Sequence, residues 1–400
     1  MADRIFVTGF GIISSIGLNT DESLSSLLSM KSGISDIELI DTIHKNKYPV
    51  GEIKLKNSEL MSLLGNLSLR EYSRTSLLGL IAARQALRMA GESPLDLRTG
   101  LISATTVGGM DKTENFYEIF NLDKTRARLK EIITHDCADS TEVIARETNI
   151  NHYVSTVSSA CSSSANSIIF GARLIRNGIV DRALVGGCDA LTKFTINGFS
   201  SLLILDKDQC KPFDKNRMGL NLGEGAAFLV LESERTIKQR YDTVVCELKG
   251  WANRCDAFHQ TASSPDGKGA YLAMEAALKN SKLNAQDIDY INAHGTGTPN
   301  NDLTEGIAIE KVFTNTIPYV SSTKPYTGHT LGAAGAVEAV ISILALQSNS
   351  VFPNLNFKEK IEELNFFPQD KLLTNIELKN VLSNSFGFGG NCSSLIFSKI

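Results

Sequence analysis

Strand-like and helix-like segments alternate along this 400-residue chain, and the alternation limits its fold more than any other feature of the sequence. Apolar runs such as "RIFVTGFGII" and "TGLISATTVGG" are typical of buried strands. The segment "YSRTSLLGLIAARQALRMAG" has the apolar spacing of an amphipathic helix and ends at Gly91. Since strands and helices that alternate in this way bury their apolar faces by packing in layers, we predict an α/β protein.

The alternation runs in two series, which we assign to an N-terminal half, 1–242, and a C-terminal half, 243–400. The second series includes the strand "VVCELKGWAN", the helix "LGAAGAVEAVISILALQS" and paired strands around "NSFGFGGNCSSLIF". No Pro- or Ser-rich linker separates the series. We therefore expect two halves that share one continuous core.

Composition excludes several classes of protein. The formal net charge of −4 and pI of about 5.9 argue against a nucleic-acid footprint. The seven cysteines are scattered and contain no CxxC pair, which favours reduced thiols in a cytoplasmic protein. No signal peptide is recognisable, and apolar runs such as "AVISILAL" are shorter than a membrane span. We expect no nucleic-acid partner and no membrane partner.

Cys161 lies in the stretch "STVSSACSSSANS", between a short strand and an amphipathic helix. The start of a helix offers unpaired N–H groups and a partial positive charge, which lower a thiol pKa and can hold an oxyanion. A buried structural thiol is the alternative. The local sequence leaves both interpretations open.

Two of the six histidines stand in glycine-rich segments. His294, in "NAHGTGTPNND", follows a strand and opens a loop suited to the close approach of a ligand. His329, in "TGHTLGAAGAVEAV", precedes a helix whose first turns are small residues, so we expect tight packing and a neutral imidazole that donates an N–H. Two satisfied core histidines are the alternative, and zinc ligation with Cys161 is disfavoured by the wide spacing.

Five segments occur in an order that resembles the β-ketoacyl-acyl-carrier-protein synthases of the elongating type, and the resemblance covers nearly the whole chain. They are "SSACSSS", "KPFDKNRMGLNLGEGAAFLVLE", "NAHGTGTPNND", "SSTKPYTGHTLGAAGAVEA" and "NSFGFGG". The resemblance implies a thiolase-like fold, in which two similar strand–helix halves pack as a five-layered α-β-α-β-α core. It also implies decarboxylative Claisen condensation of an acyl thioester with a malonyl thioester.

The resemblance also implies roles for the site residues. Cys161 would hold the acyl chain as a thioester, and His294 and His329 would complete a Cys-His-His set. Lys324 would lie beside the histidines in an ion pair with Glu338. No catalytic metal or resident cofactor is implied, since phosphopantetheine arrives on an acyl carrier protein.

Further residues are assigned by the same resemblance. Thr296 and Thr298 would hold the phosphopantetheine arm, and Asp302 would support the site. Phe388 would act as a gate beside Cys161, with the backbone N–H groups of those two residues forming the oxyanion hole.

Weaker assignments concern the periphery of the site. Val107 would lie at the acyl pocket, where bulkier side chains limit the pocket in relatives. Arg70, Arg74 and Lys207 would contact the carrier protein. A structural monovalent cation would lie near four residues, which are Asn292, Glu338, Ser383 and Asn384. A homodimer is expected, or a heterodimer with a synthase-like partner. A non-catalytic subunit resembling chain-length factors is the alternative function, although such subunits typically lack the nucleophile.

The chain departs from the family pattern at two places. The usual "GFGGTN" reads "GFGGNC", with Asn391 and Cys392. Residues 134–143, "THDCADSTEV", carry aspartates where relatives have an apolar segment lining the acyl pocket, and carboxylates are costly beside an alkyl chain. We expect an unusual acyl substrate, such as a polyene or aryl-primed chain.

Overall fold

The computed structural model describes residues 4–65, 67, 71–91, 97–240 and 244–400. The predicted boundary between residues 242 and 243 lies outside these ranges. The strands are β1 Ile5–Ser14, β2 Thr99–Ala104, β3 Tyr153–Val157, β4 Arg182–Asp189, β5 Gly225–Ser233, β6 Cys246–Cys255, β7 Tyr290–Asn292, β8 Tyr319–Ser321, β9 Asn380–Gly387 and β10 Asn391–Ser398.

The helices are α1 Thr20–Leu28, α2 Asn57–Leu64, α3 Arg74–Ala90, α4 Met110–Leu122, α5 Cys137–Thr148, α6 Ser163–Arg176, α7 Lys193–Ser201, α8 Glu234–Arg240, α9 Lys268–Ser281, α10 Pro299–Val312, α11 Lys324–Thr327 and α12 Ala334–Ser348. Short 3₁₀ turns occur at Leu129–Ile132, Ala285–Asp287 and Leu331–Ala333. The segment 124–131, whose charges suggest a solvated helix face, is exposed but forms turns and the first of these 3₁₀ helices.

The strands of the described residues form one sheet in the order β3-β2-β4-β5-β1-β6-β10-β9-β7-β8. In the first half, β2 runs parallel to β3 and β4, and β5 is antiparallel to β4 and β1. In the second half, β7 runs parallel to β8 and β9, and β10 is antiparallel to β9 and β6. The two halves therefore repeat one topology, a duplication that the sequence periodicity only suggests.

The halves meet at a short antiparallel contact, where Phe6 and Val7 of β1 pair with Glu247 and Cys246 of β6. Between the halves, α6 packs on α12, while α3 covers β1 and β5 and α9 covers β6 and β10. Helices thus lie outside each half of the sheet and between the halves. This arrangement confirms the predicted α/β, five-layered, thiolase-like fold.

The central layer requires small residues. A Cβ atom on Gly335 of α12 would lie 2.7 Å from the backbone nitrogen of Ala165 in α6, so the two backbones touch. The 18-residue segment Leu331–Ser348 is long and apolar enough to cross a membrane, but 89% of it is buried inside the protein. A helix that is apolar on all sides and enclosed in this way is a core helix.

Candidate active site

A tight turn between β3 and α6 holds Cys161 in place. Ala160 has a positive φ of 52°, a conformation that a residue with a Cβ adopts only at some cost. The Ser163 hydroxyl donates to the Ala160 carbonyl at 2.5 Å and accepts from the Ser159 N–H at 2.7 Å. The serines around Cys161 therefore supply the hydrogen bonds that hold a strained turn. This turn joins a strand to a helix, as the sequence predicts.

The Cys161 thiol is buried, with 6% of the residue exposed. Burial raises the pKa of Cys161 to about 11, although the charge of Lys324 and hydrogen bonds from the N–H groups of Phe388 and Cys161 lower it. The expected net lowering of the thiol pKa by the helix start is therefore wrong. The local sequence shows the helix start, whereas the desolvation comes from segments distant in the chain.

His294 and His329 face each other across the site. Their ring centroids lie 5.5 Å apart, with an angle of 86° between the ring planes. Each residue is 2% exposed. Burial lowers both imidazole pKa values well below 6.5, and the charge of Lys324 acts in the same direction. The predicted neutral state is confirmed.

Lys324 is buried behind His294. Its Nζ forms an ion pair with Glu338, donates to the His294 carbonyl at 2.5 Å and lies 3.3 Å from His294 Nδ1. Because an ammonium group can only donate, His294 Nδ1 accepts and the ring proton is on Nε2. Burial raises the pKa of Glu338 to about 7, and Lys324 opposes that rise. The ammonium therefore fixes the tautomer of His294.

Two carboxylates of α10 hold the loop that follows β7. Glu305 accepts from the N–H groups of His294 and Gly295 at 2.9 and 2.8 Å. Asp302 accepts from the Gly297 N–H at 3.1 Å. Glu305 is not among the predicted site residues, although an acidic residue in the second turn of the helix after a glycine-rich loop is a detectable signal.

A cavity of about 310 Å³ brings the predicted residues together. Cys161, His294 and His329 line it, and so do Thr296 and Thr298. The hydroxyl oxygens of the two threonines are 2.9 Å apart. The predicted nucleophile, histidine pair and pantetheine-binding threonines therefore share one cavity.

A second cavity, of about 380 Å³, adjoins the first. Both cavities are lined by Cys161, Phe199, Leu202 and Phe388. The Phe388 ring stacks on Phe199, with a centroid separation of 6.1 Å and an interplanar angle of 17°. Phe388 thus lies where a gate between the cavities must lie. Phe199 belongs to no motif, and its sequence offers no signal for this contact.

Two predicted parts of the acyl pocket, Val107 and residues 134–143, do not line the second cavity. Thr106 lines the second cavity, whereas Val107 is 4% exposed and packs in a cluster with Ile196 and Leu331. Within the described part of the chain, residues 134–143 line neither cavity. The Asp136 carboxylate instead caps α5 by accepting from the Ala138 N–H at 2.8 Å.

The three residues predicted to contact the carrier protein differ in what the structure shows of them. Arg70 lies outside the described residues. Arg74 is wrong as a contact, because its side chain is only 11% exposed and binds Glu224 at 2.6 Å. It also donates to the Ile53 carbonyl at 2.8 Å. Lys207 is exposed, and its contact stays a prediction.

Oxygen atoms near Glu338 fit the implied monovalent cation. Among the described residues, Glu338 Oε2 and Ser383 Oγ are buried without a hydrogen-bond partner. Asn292 Oδ1 accepts from Thr323 at 3.3 Å, and Asn384 Oδ1 accepts from Ser394 at 2.7 Å. Such a set supplies one carboxylate and neutral oxygens, the ligands of a hard cation. No group of His, Cys, Asp or Glu suited to a transition metal occurs in the described ranges.

Family models identify the class of protein. The beta-ketoacyl synthase N-terminal domain matches residues 2–236, and the beta-ketoacyl synthase C-terminal domain matches residues 245–358. The chain therefore belongs to the beta-ketoacyl synthase family and is an acyltransferase-type condensing enzyme.

Among individual proteins, the chain is similar to 3-oxoacyl-[acyl-carrier-protein] synthase 2 of Staphylococcus aureus strain COL. The two are 31% identical over 412 residues, which covers 99% of this chain and 98% of the relative. The enzyme of the same name from Coxiella burnetii is 30% identical over 415 residues, with 99% of each chain covered.

Solved structures show the same fold. The ishigamide ketosynthase/chain length factor structure superposes with a TM-score of 0.93 and 31% identity, covering 100% of both chains. The ketosynthase ApeO, solved in complex with its chain length factor ApeC from Xenorhabdus doucetiae, gives a TM-score of 0.88 and 30% identity over 100% of this chain and 98% of that chain.

Proposed function

We propose that this protein is a 3-oxoacyl-[acyl-carrier-protein] synthase that elongates an acyl chain on Cys161 by decarboxylative condensation with malonyl-carrier protein. The product would serve fatty acid synthesis or a related polyene or polyketide pathway in the cytoplasm. The convergence of Cys161, His294, His329 and the Phe388 N–H on one cavity supports this function.

The first step moves the acyl group to the enzyme. The Cys161 sulfur attacks the carrier thioester carbonyl, the bond to the phosphopantetheine sulfur breaks, and the thiol proton leaves with that sulfur. Because burial keeps Cys161 protonated, the proton must move as the new bond forms, and a neutral imidazole in the same cavity can relay it. The acyl chain then occupies the second cavity, beyond Phe388.

The second step generates a carbon nucleophile. Malonyl thioester loses carbon dioxide, and the electron pair of the broken carbon–carbon bond delocalises onto the thioester oxygen. The His294 Nε2–H and an N–H of His329 donate to that oxygen. Neutral donors are required here, because an imidazolium would protonate the carbanion.

The third step joins the two chains. The carbanion attacks the acyl-Cys161 carbonyl, and the resulting oxyanion accepts from the N–H groups of Cys161 and Phe388. Loss of one such donor typically costs about 3–4 kcal/mol in activation free energy. Collapse expels the Cys161 thiolate, which takes up a proton from water to regenerate the thiol. The 3-oxoacyl chain stays on the carrier protein, whose arm Thr296 and Thr298 hold.

The second candidate function is that of a non-catalytic subunit, like a chain length factor, which pairs with an active synthase. It is considered because the similar structures include ketosynthases solved with chain length factors. The retained Cys161 and histidine pair favour the active synthase. The chain would then act as a homodimer or as the catalytic member of a heterodimer, with an acyl carrier protein as partner.

The test is to incubate the protein with acyl- and malonyl-carrier protein and to follow the thioester by intact mass spectrometry. We expect acyl-Cys161 and a 3-oxoacyl product from the native protein and neither from Cys161→Ala. The exposed thiol Cys255 provides a matched control, since Cys255→Ala should behave as the native protein does. The absence of acyl-Cys161 with every fatty and aryl donor would contradict the proposal and favour the partner subunit.

A further inference from the structure

A cluster of carboxamides lies beside Cys161 and has no part in the steps above. Asn391 Oδ1 accepts hydrogen bonds from Ser162 Oγ at 2.7 Å, from Asn166 Nδ2 at 2.8 Å and from Asn253 Nδ2 at 2.7 Å. Asn391 is one of the residues at which the chain departs from the usual family sequence. Donors from two elements, α6 with its N-cap residue and β6, therefore converge on one side-chain oxygen of β10.

The cluster is internally fixed. Asn166 Oδ1 accepts from Asn253 Nδ2 at 2.9 Å and from Ser393 Oγ at 2.8 Å. Asn166 Nδ2 also donates to Ser159 Oγ at 2.8 Å. Asn166 both donates and accepts within the cluster, so rotating its amide would break its bonds to both Asn391 and Asn253.

This cluster connects the two segments whose N–H groups reach the thiol. Ser162 directly follows Cys161, and Asn391 begins β10 just after the loop Phe388–Gly390. The segments also touch directly, because a Cβ atom on Gly387 would lie 3.2 Å from the Cys161 nitrogen. Asn391 therefore links the loop Phe388–Gly390, which we call the gate loop, to the β3–α6 turn that carries Cys161.

The rest of the gate loop is held on its other side. The Gly389 N–H donates to the Gln260 carbonyl at 2.7 Å, and the Asp256 N–H donates to the Gly390 carbonyl at 2.7 Å. Both glycines have positive φ values, 83° and 80°, a conformation that glycine adopts without steric cost. In the described part of the chain, the Phe388 N–H reaches the Cys161 thiol, and the Asn391 cluster adds side-chain hydrogen bonds between the end of this loop and the segment that follows Cys161.

We propose that Asn391 is a positioning residue that holds the Phe388 N–H against Cys161, and with it the Phe388 ring between the two cavities. The inference rests on the proposed synthase function. Asn391 touches no reacting atom; it acts through Ser162 and the gate loop. Its loss should therefore impair acyl transfer to Cys161 and condensation, but not decarboxylation at the histidine pair.

The main test compares native protein with Asn391→Leu, which keeps the side-chain size and removes the acceptor. We expect the rate of acyl-Cys161 formation at saturating acyl donor to fall by about tenfold, as expected when reacting groups are displaced by a fraction of an ångström. The rate is measured by rapid quench and mass spectrometry. Asn365→Leu, at an exposed site that lines neither cavity, should keep the native rate.

A second measurement separates positioning from general damage. Carbon dioxide release from malonyl-carrier protein is followed in Cys161→Ala and in Cys161→Ala/Asn391→Leu, and we expect equal rates. Asn391→Thr, which restores an acceptor and the usual family residue, should recover most of the acylation rate. Asn391→Ala, which also lacks the acceptor, serves in place of Asn391→Leu if the latter fails to fold.

A double-variant cycle tests the bond itself. If Asn391 acts through Ser162, then Asn391→Leu/Ser162→Ala should acylate within about twofold of the slower single variant, instead of showing the product of two losses. Acylation of Asn391→Leu at the native rate overturns the inference, and so does an equal loss of acylation and decarboxylation. A native protein that never forms acyl-Cys161 contradicts the proposed function instead, so the two failures are distinguishable.

Discussion

Lys324 is a charged residue buried in the site, and its charge acts directly on the histidine beside it. Its ion pair with Glu338 is almost fully enclosed, with 1% and 3% of the side chains exposed. The arrangement has a purpose beyond stability, because the ammonium orients His294 and disfavours its protonation.

Removing Lys324 should destabilise the protein strongly. In Lys324→Ala the Glu338 carboxylate keeps its burial and loses its counter-ion, so the free energy of unfolding should fall by about 3–5 kcal/mol, as measured by denaturant titration. Lys215, which forms exposed ion pairs with Glu359 and Glu362, provides the control. Lys215→Ala should change the free energy by less than about 1 kcal/mol. Equal small effects would contradict the buried-pair interpretation.

The neutral histidines predict a pH dependence of stability. Their pKa values are about 6.5 in the unfolded chain and well below that in the folded protein, so below pH 6.5 the unfolded state binds more protons. Acidification therefore removes stability through His329, by up to about 1.4 kcal/mol per pH unit. The raised pKa of Glu338 acts oppositely between its unfolded value and about 7.

The difference between native protein and His329→Gln isolates the histidine contribution. We expect the free energy of unfolding to fall more steeply from pH 6.5 to 5 in the native protein than in the variant, measured by denaturant titration at each pH. Parallel curves would show that His329 is protonated equally in both states.

At the scale of elements, the site depends on how closely the gate loop approaches the β3–α6 turn. A Cβ atom on Gly387 would lie 2.9 Å from the Ser159 carbonyl oxygen, which cannot retreat without disturbing the turn. Position 387 therefore requires glycine, because a larger side chain would clash with the turn.

Gly387→Ala should slow acylation of Cys161 by about 100-fold while the protein stays folded, because the loop must move away from the thiol. Thermal unfolding and the acylation rate are measured together. Gly198→Ala is the matched control for thermal unfolding only, since a Cβ at Gly198 in α7 meets nothing within 4 Å but Gly198 lines the second cavity. A native acylation rate in Gly387→Ala would show that the close approach is dispensable.

For the whole molecule, the contact of α6 with α12 joins the half that carries Cys161 to the half that carries the histidines. A Cβ atom on Gly335 would lie 2.8 Å from the Cβ of Ala165. Packing at this point therefore sets the distance between the halves.

Gly335→Ala should lower the free energy of unfolding by about 1–3 kcal/mol, the usual cost of overfilling a packed core. The Cys161 acylation rate should fall as well, because the nucleophile and the histidines move apart. Denaturant titration and rapid-quench acylation measure the two effects. A variant as stable and as active as the native protein would contradict a fixed spacing of the halves.

Local sequence patterns were enough to predict the layered fold, the turn that carries Cys161 and the glycine-rich loops that carry the histidines. Periodicity and turn residues act over short distances, so "STVSSACSSSANS" and "NAHGTGTPNND" carry their structure locally. The protonation of Cys161 depends instead on tertiary contacts, because segments distant in the chain bury the thiol and the charge of Lys324 acts on it from the other half.

Side-chain partners were likewise decided by the tertiary structure. Arg74 is enclosed against Glu224, 150 residues away, and Asn391 meets Ser162 across 229 residues. Phe199 stacks on Phe388 although no motif joins them. The contacts of Ser162 and Phe199 depend on how the two halves pack against each other, and the contact of Arg74 depends on packing within the N-terminal half. Local sequence carries no information on either.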